Sequence, residues 1–87
     1  MITSAQIRAG RGLLKWTQAM LAAKAGLSVV TMNMIESDNV VPRERTLIAI
    51  RDVMVQAGVE FLGENGKGLG VRFIETEQAG EDDARHR

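Results

Sequence analysis

Residues 16–36 read WTQAMLAAKAGLSVVTMNMIE, and the punctuation of this stretch decides the fold. Thr17 and Ser28 each stand where a hydroxyl can accept a hydrogen bond from an otherwise unpaired amide in the first turn of a helix. Gly26 stands where the first of these helices must stop, because Gly takes the left-handed C′ conformation without a Cβ penalty. Leu27, just after it, is expected to drop into the core. The stretch therefore predicts two short helices joined by a tight turn, the helix-turn-helix arrangement.

The flanking sequence extends the pattern on both sides. Thr3 followed by Gln6 fits a capping box, so α1 is expected over about residues 4–14, with Ile7, Leu13 and Leu14 on its buried side. Gly10 and Gly12 each weaken that helix by about 1 kcal/mol relative to Ala, so it needs tertiary packing to hold. Helix α2 is expected over 18–25, with Leu21, Ala22 and Ala25 inward, and α3 over 29–37, with Met32 and Ile35 inward and Val29 a further candidate. Trp16 reads as a core anchor. Pro42 closes a loop from Asp38 and favours an extended residue before it. Helix α4 follows over 44–57, with Leu47, Ile50, Met54 and either Ile48 or Val53 at helical spacing, capped by Gly58.

The period then changes. Residues 59–62 (VEFL) and 71–74 (VRFI) carry β-branched and aromatic residues around a segment, 63–70, that holds four Gly and the turn dipeptide Asn65-Gly66. This predicts a β-hairpin or a short strand. A two-stranded hairpin alone is marginal in water, so it must pack on the helices or pair with another chain. The segment contains no GxxxxGK[ST] and precedes a strand, so it reads as a turn rather than a phosphate loop. Residues 75–87 are polar and charged and are expected to be disordered.

Composition narrows the function classes. Eighty-seven residues suffice for one small core. Two Phe, one Trp and no Tyr make that core aliphatic. Cys is absent and the one His, His86, lies in the tail, which excludes a disulfide framework and the common zinc sites. With no carboxylate pair clustered in the folded region either, no enzyme, metal or cofactor is expected. There is no long apolar run and no signal-peptide h-region, so a soluble cytoplasmic protein without a membrane partner is expected. The formal net charge is zero, yet residues 1–51 hold seven cations (Arg8, Arg11, Lys15, Lys24, Arg43, Arg45, Arg51) against three carboxylates (Glu36, Asp38, Glu44), an excess of four. The acidic residues Glu75, Glu77, Glu81, Asp82 and Asp83 collect near the C-terminus. That asymmetry fits a binding head and a solvated tail.

With these residues placed, the chain resembles the lambda-repressor-like, Cro/CI-type helix-turn-helix family (XRE-type regulators). The resemblance covers about residues 4–57. It is carried by Trp16-Thr17-Gln18, Leu21-Ala22, Ala25-Gly26-Leu27-Ser28 and Ile35-Glu36-Ser37, then by Pro42 before the helix at Thr46-Leu47. It implies a mainly α fold: a compact four- to five-helix DNA-binding domain over 1–58 with a C-terminal hairpin over 59–74. It implies that Ser28, Val29, Val30, Asn33 and Met34 face the major groove and that Gln18, capped by Thr17, touches a backbone phosphate. Arg11 and Glu36 match an ion pair that ties α1 to α3 in relatives. Helix α1 and Lys24, Thr31, Arg43 and Arg45 are the further candidates for phosphate contact, with backbone amides at the starts of α2 and α4.

The chain departs from the family in one respect. Relatives often carry Arg, Gln, Ser or Lys at the contact positions of α3, whereas residues 27–42 here contain no basic residue. Bidentate Arg–guanine contacts are therefore absent from this helix. Asn33 could bond adenine N6 and N7, and the apolar side chains could meet thymine methyls, which would read an A/T-biased half-site. The expected function is a sequence-specific transcriptional regulator, a repressor, that binds double-stranded DNA as a homodimer on an inverted repeat, because one helix reads too few base pairs. The hairpin residues Val59, Phe61, Val71 and Phe73 are the candidate dimer contact, by edge pairing or by packing an apolar face. The alternative is a protein-interaction module (antirepressor, antitoxin or anti-activator) that uses the apolar row on α3 to bind another regulatory protein.

Overall fold

The computed structural model describes residues 1–63 and 65–74. The expected tail, 75–87, lies outside the described residues. Four helices come first: α1 Ser4–Leu14, α2 Gln18–Ala25, α3 Val29–Glu36 and α4 Glu44–Gln56. Two strands follow, β1 Val59–Leu62 and β2 Gly70–Phe73, antiparallel with Val59 opposite Phe73 and Leu62 opposite Gly70. The fold is mainly α, with a two-stranded hairpin laid against α1 and α4.

The helix starts follow the hydroxyls. Thr3, Thr17 and Ser28 each accept from the amide three residues on, and Gln6 returns a bond to the Thr3 amide to complete the capping box. Three of the four helix ends share one device. At Lys15, Gly26 and Asp38 the chain turns left-handed (φ 59°, 74° and 62°). The next residue's amide then reaches back to the carbonyl five residues earlier: Trp16 to Arg11, Leu27 to Ala22 and Asn39 to Met34 (3.0, 2.8 and 2.9 Å). These are Schellman closures. Only Gly26 uses a residue that takes that conformation without strain.

The core is the buried set Ile2, Ile7, Leu21, Ala22, Met32, Ile35, Ile50, Met54 and Val59, with Leu14, Trp16, Ala25, Leu27, Leu47 and Val53 packed around it. Of the two alternatives on α4, Val53 packs on the core and Ile48 is exposed. Three expectations are corrected. Leu13 is 43% exposed, because Ile7, Gly10 and Leu14 already line one helical face and Leu13 projects to its side. Val29 is 48% exposed, at the turn end of α3 beside Ser28 and Val30, which are also exposed. Ala57, not Gly58, is the C-cap of α4; Gly58 follows at φ 112° and leads into β1. There are four helices among the described residues, and α3, α4 and β2 each end one residue earlier than expected.

Gly10 has a role that helix propensity hides. A Cβ there would run into the Cε of Met54, so its bareness lets α1 lie against α4 and β1. The hairpin is held to α1 by Gln6, which is buried and donates from Nε2 to the carbonyls of Leu62 and Gly70 (2.9 and 3.0 Å).

Candidate nucleic-acid interface

The outward face of α3 follows from helical period. Met32, Ile35 and Glu36 point into the body, which leaves Val30, Asn33 and Met34 on the other side, with Val29 exposed at their edge because it lies in the first turn. All four are exposed, Val30 at 65% and Met34 at 37%. Ser28 caps the helix beside them through the amide of Thr31 (3.0 Å), and its hydroxyl also donates to Thr31 Oγ1 (3.0 Å).

Behind this row lies a polar chain that crosses three helices. Glu36 is buried, and Arg11 grips its carboxylate with two parallel bonds, Nε to Oε2 and Nη2 to Oε1, both 2.8 Å. This is the fork-on-carboxylate geometry that charge-assisted pairs favour. The hydrogen bond to Glu36 raises the Arg11 pKa, burial opposes this, and the charge on Glu36 adds to the rise. Because Arg11 is raised, its contribution to stability is complete below its unfolded pKa and is lost only as pH climbs through the still higher folded value, so it is constant across neutral pH. Arg11 also donates from Nη1 to the carbonyl of Trp16 (3.0 Å), and Arg8 donates to the backbone carbonyl of Glu36. Glu36 Oε1 accepts a further bond from Gln18 Nε2 (3.2 Å), and Gln18 Oε1 accepts from Asn33 Nδ2 (3.3 Å). The first residue of α2 is thus tied both to the buried ion pair and to the polar member of the outward row.

The other named positions are less tightly grouped. Thr17 is exposed and its hydroxyl accepts from the Met20 amide (3.1 Å). Arg43 and Arg45 are exposed at the start of α4, where Arg43 is the N-cap and makes no side-chain cap; the Thr46 amide turns back to the Arg43 carbonyl (3.0 Å), which leaves the Glu44 and Arg45 amides for another acceptor. The Nζ of Lys24 lies 5.0 Å from the centre of the Trp16 ring, a cation–π arrangement that occupies the ammonium within the protein. Sequence reading missed the contribution of Arg8, whose only signal was its place one helical turn from Arg11.

The hairpin residues divide in two. Val59 is buried, and Phe61 and Val71 pack against the core, so the inner face of the hairpin is used within the chain. Phe73 shares that face but is 46% exposed. The Ile74 amide donates to the Gly58 carbonyl, which fixes the phase of the ladder. The hydrogen-bonded pairs are then 60/72 and 62/70, and the backbone groups of Val59, Phe61, Val71 and Phe73 point to the strand edges.

A family comparison decides what this arrangement is. The HTH_3 helix-turn-helix family model matches residues 7–54, which takes in most of α1, all of α2 and α3 and most of α4. The chain belongs to this family, the XRE type of helix-turn-helix regulators. It is a DNA-binding protein of transcription regulation, and its family is one of DNA-binding regulators rather than of enzymes. A comparison with curated proteins gives no match. Among the described residues no helix is long and apolar enough to cross a membrane.

Proposed function

We propose that the protein is a transcriptional repressor that reads an inverted-repeat operator as a homodimer, with α3 in the major groove. The observation that supports this best is the outward row of Val29, Val30, Asn33 and Met34, which stands free at the start of α3 on a helix-turn-helix frame. In this reading Ser28 and those four residues meet base edges. Val29, Val30 and Met34 contact thymine methyls, Asn33 contacts adenine, and the half-site is A/T-biased. Thr17, Gln18, Thr31, Arg43 and Arg45 meet the sugar–phosphate backbone, with the uncapped amides of α4 alongside the two arginines. Lys24 joins them only by leaving the Trp16 ring.

Residues 1–58 form the DNA-binding unit in this proposal and residues 59–74 the dimerisation element. Since the inner face of the hairpin already packs on the core, the copies meet through a strand edge and the exposed Phe73 rather than through Val59, Phe61 and Val71 side chains. The test is selection of bound duplexes from a random pool, followed by gel shift over a salt series. The expected result is an A/T-containing inverted repeat whose affinity falls steeply with salt. The competing reading, in which the apolar row binds a regulatory protein, predicts no enriched sequence.

A further inference from the structure

Glu36 has a directional effect that reaches the protein surface. Gripped on both oxygens by Arg11, it is held as a carboxylate, and a carboxylate only accepts. Any amide that bonds it must present its NH2 end. Gln18 does so, with Nε2 at 3.2 Å from Oε1. A carboxamide is planar, so turning its nitrogen inward turns its oxygen outward, where Gln18 Oε1 meets Asn33 Nδ2 at 3.3 Å. Asn33 must therefore donate toward Gln18, which leaves its Oδ1 and one N–H for an outside partner.

We propose that Glu36 is a positioning residue which, through Gln18, fixes the polarity of the Asn33 amide, so that the protein demands adenine at one position of each half-site. This rests on the reading of α3 as the helix that faces DNA. An unrestrained Asn turns over readily about its terminal torsion. Its NH2 end can then donate to thymine O4 or to guanine O6 and N7, and its oxygen can accept from cytosine N4, so it discriminates poorly. With the polarity fixed, Oδ1 accepts from adenine N6 while the remaining N–H donates to N7. Asn33 is the one polar member of the row it shares with Val29, Val30 and Met34, so no neighbour there duplicates its readout. The second amide hydrogen of Gln18 stays free for a phosphate, which links strand position to base choice.

The test is selection from a random DNA pool with the full chain and two variants, each first checked for a cooperative thermal transition. The unaltered protein is expected to enrich adenine about fivefold or more at one position per half-site, the low end of a bidentate contact. Gln18→Met keeps the stem and removes both amide ends. It should flatten the preference at that position and leave the rest of the motif unchanged. Gln18→Lys is donor-only. It can still bond Glu36 but now offers Asn33 a donor, so Oδ1 must turn inward, the NH2 end faces the DNA, and the preference should switch from adenine to guanine or thymine. Either variant suffices if the other fails to fold. Retention of the adenine preference in the folded variants, with affinity lowered evenly over all sequences, would overturn the proposal and leave Gln18 as a phosphate contact alone. No enrichment by the unaltered protein would instead overturn the DNA-facing reading of α3.

Discussion

Replacing Arg11 with Met should remove a large part of this domain's stability. The substitution takes away both bonds to Glu36 and leaves the carboxylate, whose side chain is 1% exposed, with only the Gln18 amide as a side-chain partner. Each lost bond to a charged group is worth about 1.5–3 kcal/mol, which gives about 3–6 kcal/mol for two. Breaking a buried pair from one side costs about 3–5 kcal/mol by comparison. The Arg11 side chain is 21% exposed, so solvent already screens it in part, and a loss of about 3 kcal/mol is expected. Urea unfolding followed by circular dichroism measures it. With an m-value of about 1 kcal/mol/M for a domain of this size, the midpoint should fall by about 3 M. Adding Glu36→Leu to Arg11→Met should recover all but about 1 kcal/mol, because an apolar side chain can replace a buried charge with little loss. A cost below about 1 kcal/mol for the single variant, or no recovery in the double, would show that the pair does not hold α1 to α3.

Three further outcomes follow from the geometry. Gly12→Ala, in open space on α1, should stabilise by up to about 1 kcal/mol, whereas Gly10→Ala should gain less, because the same helix preference for Ala is offset by moving the Met54 methyl end within a filled core; thermal melts separate the two. Lys15→Gly should stabilise by about 0.5–1 kcal/mol, since a residue with a Cβ now holds a left-handed helix end; a melt that falls would show that the lysine stem matters more than its backbone. Removing Arg43 and Arg45 together should lower the slope of log affinity against log salt by about 2 in magnitude without changing the selected sequence; an unchanged slope would place both side chains away from the phosphates.

Most of the helical frame could be read from the chain because its signals are local. A hydroxyl at Thr3, Thr17 or Ser28 caps whatever helix follows it, and Gly26 closes α2 by its own conformational freedom. The turns at Lys15 and Asp38 are the same closure made by residues that carry a Cβ, and even Asp, which visits the left-handed region more than most, does so far less than Gly, so they left little mark in the sequence. The core faces were legible where apolar side chains kept the helical period, as with Leu21, Met32, Ile50 and Met54. They failed at Leu13, which lies off that period, and at Gly10, where the absence of a side chain is what builds the contact. The Arg11–Glu36 pair came from resemblance, but its extension through Gln18 to Asn33 did not, because bonds between amides on different helices depend on distances no spacing rule supplies. Gln6 was hidden differently: its capping-box role accounted for it fully, and its hold on the hairpin some 56 residues away became visible only in three dimensions.

Amide chemical shifts of the isotope-labelled protein, followed as a selected duplex is added, report directly on which surface meets DNA. The largest changes are expected at Gln18 and over residues 28–34, with smaller ones at the start of α4. Changes confined to the hairpin and the outer side of α4, with residues 28–34 unmoved, would mean that the exposed row of α3 is not what this protein sets against the double helix.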